Sequence, residues 1–229
     1  MTTPCRVVPL GDRAALAYFE TEAAAAAYAR SLRRERPPWL LDVVPAYLSV
    51  GLHFDATAIR SAAVLAWARD HRGSGADSAP EAVRHNIPVC YERNLDLPRI
   101  AEVLQHSEAD VIRRHLDATY TVYAIGFVPG FPYLGYLPAE LCGVPRLAEP
   151  RLRVPAGSVG LTGRQTGIYP LERPGGWNIV GRTPLELVNL DDAYFPLQVG
   201  DEVRFTRIDD TEYERLLGER LGTPVTGPA

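Results

Sequence analysis

The segment 126–184 constrains the fold of this 229-residue chain more than any other part of the sequence. Of its 59 residues, 20 are glycine or proline, a density that is typical of disordered chains. Disordered segments are poor in large apolar side chains, however, whereas this one contains Phe127, Phe131, Tyr133, Tyr136, Tyr169 and Trp177. The segment therefore predicts an ordered β structure of short strands and fixed turns, whose rigid loops carry the binding chemistry.

The composition excludes several classes of enzyme and predicts a cytoplasmic protein. All 24 basic residues are arginine, so the chain has neither a Schiff-base lysine nor the lysine of a P-loop. The three cysteines are scattered, and the five histidines fit no zinc-ligand spacing, so we predict no disulfide framework and no metal site. No run of 18 apolar residues occurs and the N-terminus lacks the apolar core of a signal peptide, so neither a membrane span nor secretion is expected.

The distribution of charge favours a small anionic ligand. The net charge of −4 argues against nucleic acid as a main partner. Residues 126–185 carry six arginines and three acidic residues, whereas residues 186–229 carry four and ten. The local positive charge suits a carboxylate or a phosphate. The alternative is that these arginines only solvate loop surfaces or pair with the acidic C-terminal region.

The first 84 residues follow a β-β-α-β-β-α pattern. Strands are predicted at 5–10, 14–19, 40–44 and 47–54. A first helix begins at the N-cap Thr21 and ends near Arg34, and a second begins at Asp55 or Thr57 and ends near His71. A polar stretch, 72–84, is the best linker candidate. We therefore predict two domains, 1–84 and 85–229.

The second domain is predicted to be mostly β structure. A strand at 87–91 precedes two short helices, one opening near Asp96 and one at Ser107. From residue 119 onward we predict strands at 119–127, 152–154, 158–162, 167–169, 177–180, 185–188 and 201–206, followed by a helix at 212–221.

Three motifs in the glycine- and proline-rich segment are candidate binding elements. In the first, 163–167, flanking glycines let the backbone approach a ligand while Gln165 and Thr166 supply hydrogen bonds; the alternative is a hairpin turn. In the second, 174–178, a forced turn presents Asn178, whereas its tryptophan is expected in the core. In the third, 126–135, the aromatic residues form either a pocket wall or a docking surface for another subunit.

These motifs also carry a family resemblance. The blocks GFVPGFPYLG (126–135), VPAGSVGLTGRQTGIYP (154–170) and PGGWNIVGRTP (174–184) resemble signature blocks of the KipI / allophanate hydrolase subunit 1 / 5-oxoprolinase B-subunit family. The resemblance implies an α+β protein, with a small N-terminal α/β-sandwich domain followed by a cyclophilin-like β-barrel domain. Tyr136 stands where the family has glycine, and the loop at 91–96 is shorter than in the family.

The family resemblance implies a subunit of an enzyme. We expect the B-type subunit of an ATP-dependent 5-oxoprolinase, which hydrolyses 5-oxo-L-proline to L-glutamate and is inactive alone. ATP, with magnesium, would be bound by a complex with a homologous C-type (KipA-like) subunit and a LamB/YcsF-type A subunit. The alternatives are a subunit of the urea carboxylase/allophanate hydrolase pathway and a KipI-like inhibitor of a sensor histidine kinase.

The resemblance also suggests roles for particular residues. Gln165 and Thr166 are expected to hydrogen-bond the lactam or phosphate, and Arg182 to bind the carboxylate or a developing anion. His115 is the candidate acid or base, unless it only stabilises a helix C-terminus. The expected substrate-binding residues are Tyr133, Arg146, Tyr169 and Asn178.

Overall fold

The computed structural model describes residues 3–72 and 82–222. The chain divides into two compact units, Met1–Glu81 and Ala82–Ala229. Most of the predicted linker, residues 73–81, lies outside the described residues. Within the parts of the chain that are described, no helix has the length and apolar character needed to cross a bilayer.

The first unit is a four-stranded antiparallel sheet against which two helices pack. In chain order its elements are β1 (Arg6–Leu10), β2 (Ala14–Tyr18), α1 (Glu22–Glu35), β3 (Leu40–Ala46), β4 (Ser49–Phe54) and α2 (Ser61–Asp70). The sheet order is β1-β2-β4-β3. The hydroxyl of Thr21 accepts a hydrogen bond from the backbone N–H of Ala24, which confirms the predicted N-cap of α1.

The predicted start of α2 was wrong. The helix begins at Ser61, several residues after Asp55. The Asp55 carboxylate accepts hydrogen bonds from the backbone N–H and the hydroxyl of Thr57, at 2.9 and 2.7 Å. It therefore closes a local turn, because short polar side chains stabilise turns as readily as they cap helices.

The second unit is built on a nearly closed seven-stranded sheet. The described strands of this unit are β5 (Arg84–Val89), β6 (Thr119–Ile125), β7 (Pro132–Gly135), β8 (Arg151–Val154), β9 (Ser158–Thr162), β10 (Gln165–Ile168), β11 (Arg173–Gly175), β12 (Asn178–Arg182) and β13 (Glu202–Arg207). Strands β8 and β11 form a separate ribbon, and the other seven follow the order β12-β9-β10-β7-β6-β13-β5. Reciprocal backbone hydrogen bonds between Cys90 and Arg182, at 2.9 and 3.0 Å, bring the two edges of this sheet together. The expected α+β class with a barrel-like second domain is thus confirmed.

Among the described residues, three α-helices complete the second unit: α3 (Leu97–Leu104), α4 (Glu108–Asp117) and α5 (Asp210–Arg215). The Ser107 hydroxyl caps α4 as predicted, accepting a hydrogen bond from the backbone N–H of Asp110 at 3.1 Å. The predicted strand at 185–188 is wrong. Backbone groups of Pro184 and Glu186 bond instead to residues 218 and 219, outside the sheet. The closing helix is also shorter than predicted.

Two glycines allow aromatic rings to lie close to one face of the sheet. A Cβ atom at Gly160 would lie 3.1 Å from the Cβ of Trp177. A Cβ atom at Gly167 would lie 2.8 Å from the carbonyl oxygen of Pro132 and 3.1 Å from the ring of Phe131. Such contacts are closer than packed side chains tolerate. The glycine-rich motif 154–170 therefore makes room for an aromatic cluster.

A buried carboxylate joins the start of α3 to two strands. Asp96 is only 6% exposed. It accepts a hydrogen bond from the backbone N–H of Ile179 in β12 at 2.7 Å, and its other oxygen lies 2.6 Å from the guanidinium of Arg151 in β8. Since a buried charge is tolerated only when it is paired and hydrogen-bonded, this ion pair couples three elements of the second unit.

Candidate functional site

An aromatic cleft in the second unit is the candidate functional site. It has a volume of about 260 Å³ and is lined by Phe127, Phe131, Tyr133, Arg146, Pro150, Tyr169, Pro174, Gly175, Gly176 and Trp177. Pockets for drug-sized ligands usually measure roughly 300–1,000 Å³, so this cleft suits a small molecule.

The rings of the cleft pack edge to face around Phe131. The centroid of Phe131 lies 5.2 Å from Tyr169, 5.5 Å from Trp177 and 4.9 Å from Tyr133, with the first two rings nearly perpendicular to it. Such contacts stabilise by about 0.5–1.5 kcal/mol each beyond the burial of area. The cluster therefore forms the aromatic floor of the cleft.

Arg146 gives the cleft its positive charge. Of the six arginines between residues 126 and 185, five have partners: Arg151 pairs with Asp96, Arg153 with Glu172, Arg164 lies over Tyr136, Arg173 bonds to Glu172 and Arg182 bonds to Ala156. Among the described residues, the exposed guanidinium of Arg146 has no hydrogen-bond or ion-pair partner. Its five donors therefore remain available to an anion.

Two tyrosine hydroxyls share the cleft with this arginine. Burial raises the pKa of Tyr133 and of Tyr169, and the positive charge of Arg146 opposes the shift in both. The backbone N–H of Trp177 also opposes the rise in the pKa of Tyr169. A Cβ atom at Gly175 would lie 2.3 Å from the Tyr169 hydroxyl oxygen. The Pro-Gly-Gly turn thus fixes a neutral phenol that can donate a hydrogen bond.

Asn178 lies behind the cleft and holds the segment that carries Arg146. Its amide nitrogen donates to the carbonyl oxygens of Pro145 at 2.9 Å and Leu161 at 3.2 Å, and its amide oxygen accepts from Arg99 at 2.6 Å. The residue is fully buried. This geometry supports a positioning role for Asn178 instead of direct contact with a ligand.

Phe127 adopts an unusual backbone conformation at the cleft. Its φ is +69°, and the backbone N–H of Val128 donates to the carbonyl oxygen of Gly126 at 2.8 Å. This is the hydrogen bond of a γ-turn centred on Phe127, in its rare form with positive φ. A non-glycine residue in such a region costs on the order of 1–3 kcal/mol and is often found at functional sites.

His115 and Thr166 lie in the interior of the second unit, not in the cleft. Both are fully buried. The Tyr91 hydroxyl donates to Nδ1 of His115 at 2.7 Å, Nε2 of His115 donates to Thr166 Oγ1 at 3.1 Å, and the Thr166 hydroxyl donates to the carbonyl oxygen of Gly160 at 3.0 Å. Every polar atom of the imidazole is satisfied, so this arrangement supports a structural role.

The buried imidazole should make the stability of the protein depend on pH. Burial lowers the pKa of His115 from 6.5 to about 3. Below pH 6.5 the unfolded chain therefore binds a proton that the folded chain does not, and the free energy of unfolding falls as the pH drops toward 3. One proton corresponds to about 1.4 kcal/mol per pH unit. Above pH 6.5 this contribution is constant.

Denaturant unfolding between pH 3 and pH 8 measures this effect. We expect His115→Gln to have a flatter dependence on pH than the unsubstituted chain. Burial also lowers the pKa of His71 in the first unit, so His71→Gln serves as the control that should keep the contribution of His115. An unchanged slope in His115→Gln would contradict the prediction.

The remaining predicted site residues lie outside the cleft lining. Gln165 begins β10 and pairs in register with Gly135 and Thr162, so the motif 163–167 forms a hairpin turn. Since side chains alternate along a strand, Gln165 points to the face opposite Thr166, the face that also carries Tyr133. Arg182 lies in β12, where its Nε donates to the carbonyl oxygen of Ala156 at 2.7 Å.

The structure therefore unites three of the expected substrate-binding residues, Tyr133, Arg146 and Tyr169, in one cleft. Sequence reasoning missed the role of Arg99, whose contact with Asn178 joins residues far apart in the chain. It also missed the Asp96–Arg151 pair. No local motif signals either contact, because both depend on how α3 packs against the sheet.

Comparisons with known proteins agree with this architecture. The family described as carboxyltransferase domain, subdomain C and D, matches residues 5–196. The chain is 34% identical to the B subunit of 5-oxoprolinase from Bacillus subtilis (strain 168), over 93% of this chain and 97% of that protein.

Two solved structures have similar folds. The crystal structure of TTHA0988 superimposes with a TM-score of 0.73 and 36% identity, covering 86% of this chain but 40% of its own. The K. lactis urea amidolyase superimposes with a TM-score of 0.74 at 19% identity, covering 92% of this chain and 15% of its own. At that identity the likeness shows the fold alone. Both of these structures contain much that has no counterpart in this chain.

Proposed function

This chain belongs to the family of carboxyltransferase domains, subdomain C and D, that includes KipI and the B subunits of 5-oxoprolinases, and from that premise we propose that it is the B-type subunit of an ATP-dependent 5-oxoprolinase. The complex would hydrolyse 5-oxo-L-proline to L-glutamate. The observation that carries the proposal is Arg146, which lies in a small aromatic cleft and has no ion-pair or hydrogen-bond partner among the described residues.

The chemistry of the cleft suits 5-oxo-L-proline. This substrate is a five-membered lactam ring with one carboxylate. In the proposal the carboxylate binds the guanidinium of Arg146, which is suited to bidentate contact. The ring lies on the aromatic floor, and the hydroxyls of Tyr133 and Tyr169 donate hydrogen bonds to the lactam carbonyl oxygen. Arg146 thus takes the carboxylate-binding role that the sequence suggested for Arg182.

A second protein of the complex is proposed to complete the reaction. None of the ten residues that line the cleft is an acid, a histidine or a cysteine, so this lining offers no carboxylate, imidazole or thiol for acid–base chemistry. We propose that the C-type subunit covers a margin of the cleft that contains Gln165 and Arg182. Gln165 lies on the same face of the sheet as Tyr133. His115 and Thr166 support the barrel that holds the site.

ATP and magnesium are proposed to be bound by the complex. Magnesium is usually held by one or two carboxylates together with phosphate oxygens and water. Among the described residues, no group of three or more His, Cys, Asp or Glu side chains could hold a metal ion. We propose that the C-type and A-type subunits contribute residues to the nucleotide site.

The proposal is tested by 5-oxoproline-dependent ATP hydrolysis. The chain is assayed alone, then mixed with its candidate C-type and A-type partners, with urea as a parallel substrate. Activity with 5-oxoproline only in the complete mixture is the expected result. Activity with urea alone would instead assign the chain to the urea carboxylase pathway. Urea carries no carboxylate, so it would leave the charge of Arg146 unused.

A further inference from the structure

Phe127 combines two features that are unfavourable for folding. Its backbone is held in the left-handed region with a φ of +69°. The residue is also 60% exposed to solvent. Glycine would adopt this backbone without strain and would expose no apolar side chain. The strain and the exposed ring surface both reduce the stability of the free chain, against which the contacts of the ring with Phe131 and Tyr169 must be set.

The turn fixes the direction of the ring. Besides the γ-turn bond, the backbone N–H of Gly126 donates to the carbonyl oxygen of Phe131, and the N–H of Phe131 donates to that of Val128, both at 3.2 Å. Gly130 lies so close to Val188 that a Cβ atom would approach its side chain to 2.1 Å. Backbone hydrogen bonds therefore close the loop, and Gly130 packs against Val188.

The ring stands on the aromatic floor without being covered by it. Its centroid lies 5.6 Å from Phe131 and 6.4 Å from Tyr169, and it is nearly perpendicular to both rings. Only part of Phe127 is buried by these contacts, so the rest of its surface remains available. Phe127 and Arg146 line the same cleft.

We propose that Phe127 determines the specificity of the cleft, by packing its ring against the ring of a cyclic carboxylate whose charged group is bound by Arg146. The inference rests on the proposed function and assigns the recognition of the substrate ring to one residue. The ring of Phe127 distinguishes a carboxylate on a compact ring from an open-chain carboxylate of the same charge. The strained turn is retained because it holds the Phe127 ring in place before the ligand arrives.

The test compares Phe127→Gly with the unsubstituted chain in the complex and alone. In the complex we expect KM for 5-oxoproline to rise about 10-fold while kcat stays within about twofold, because the contact is made equally in the ground and transition states. In the chain alone, the thermal unfolding midpoint should change little, because relief of the backbone strain offsets the loss of the two ring contacts. Ala193 also has a positive φ, +56°, and is exposed. Ala193→Gly is therefore the matched control for relief of strain, and its KM should not change.

Direct binding separates this inference from the proposed function. Isothermal titration of the complex uses 5-oxoproline, cyclopentanecarboxylate and acetate, of which the last has the charge but no ring. We expect Phe127→Gly to weaken the two cyclic ligands and to leave acetate unchanged.

Each result supports or overturns the inference. Equal loss for all three ligands, no loss for the cyclic ones, or no binding of either cyclic ligand to the unsubstituted complex would overturn it. Unchanged KM for 5-oxoproline in an active Phe127→Gly complex would overturn the inference but leave the function standing. Phe127-dependent binding of cyclopentanecarboxylate without 5-oxoprolinase activity would support the inference and reject the function.

Discussion

Replacing Arg146 with glutamine is expected to lower kcat/KM for 5-oxoproline-dependent ATP hydrolysis by about 100-fold in the assembled complex. A loss of this size corresponds to about 2.7 kcal/mol. Truncating one member of a buried charge pair typically costs about 2–5 kcal/mol, and the expected loss for the pair of Arg146 with the substrate carboxylate falls within this range. The guanidinium has no partner among the described residues, so its removal should not destabilise the fold.

The control for this substitution is another arginine of the same segment. The Arg153 side chain is 82% exposed and lies 3.8 Å from Glu172, and it does not line the cleft. Arg153→Gln removes the same charge from the chain and should keep activity within about twofold, since exposed ion pairs contribute little. Full activity in Arg146→Gln, with the complex intact by gel filtration, would reject the cleft as the carboxylate site.

The largest effect on stability is expected from Asp96→Ala. The substitution leaves the guanidinium of Arg151, which is 28% exposed, without its carboxylate, and the backbone N–H of Ile179 without its acceptor. Removing one member of a buried ion pair typically costs about 3–5 kcal/mol. Because whole domains are stable by only about 5–15 kcal/mol, the second unit should unfold at a much lower urea concentration.

A surface ion pair of the same unit provides the comparison. Glu202 lies 2.9 Å from Arg84, and both side chains are partly exposed. Glu202→Ala should therefore change the free energy of unfolding by less than about 1 kcal/mol. The double variant Asp96→Ala/Arg151→Met should recover part of the loss, because it removes the unpaired charge. If Asp96→Ala lowered the free energy of unfolding no more than Glu202→Ala does, the buried pair would not stabilise the fold.

Local signals in the sequence predicted local structure well. The hydroxyls of Thr21 and Ser107 cap α1 and α4 as predicted. These caps could be predicted because an N-cap interaction spans only three residues. The predicted strand at 185–188 failed for the opposite reason. Its apolar side chains Leu187 and Val188 are buried, but its backbone bonds to the C-terminal segment, a pairing that no local pattern reveals. Strand β7 was not predicted, because its four residues begin at a proline and lie in a segment rich in glycine and proline, which favours a loop.

The candidate site was predictable only in part. Aromatic residues on a glycine- and proline-rich segment indicated a pocket wall, and a local excess of arginine indicated an anion. Which arginine is unpaired depends on the tertiary partners of the others, such as Asp96 for Arg151. The burial of His115 beneath Tyr91 and Phe205 likewise depends on packing between distant elements. Sequence alone therefore could not separate the imidazole of a core hydrogen-bond chain from a catalytic one.

The position of β5 has a consequence for synthesis on the ribosome. This strand is the first of the second unit to emerge, yet its neighbour along the sheet is β13, to which it pairs in parallel. Strands β6 to β12 are translated in between, so β5 lacks this parallel partner until residues 202–207 have been made. Such late, long-range pairing folds slowly and leaves strand edges open to aggregation meanwhile. A nascent chain stalled before residue 202 should therefore depend on chaperones in a way that a chain extended past residue 207 does not.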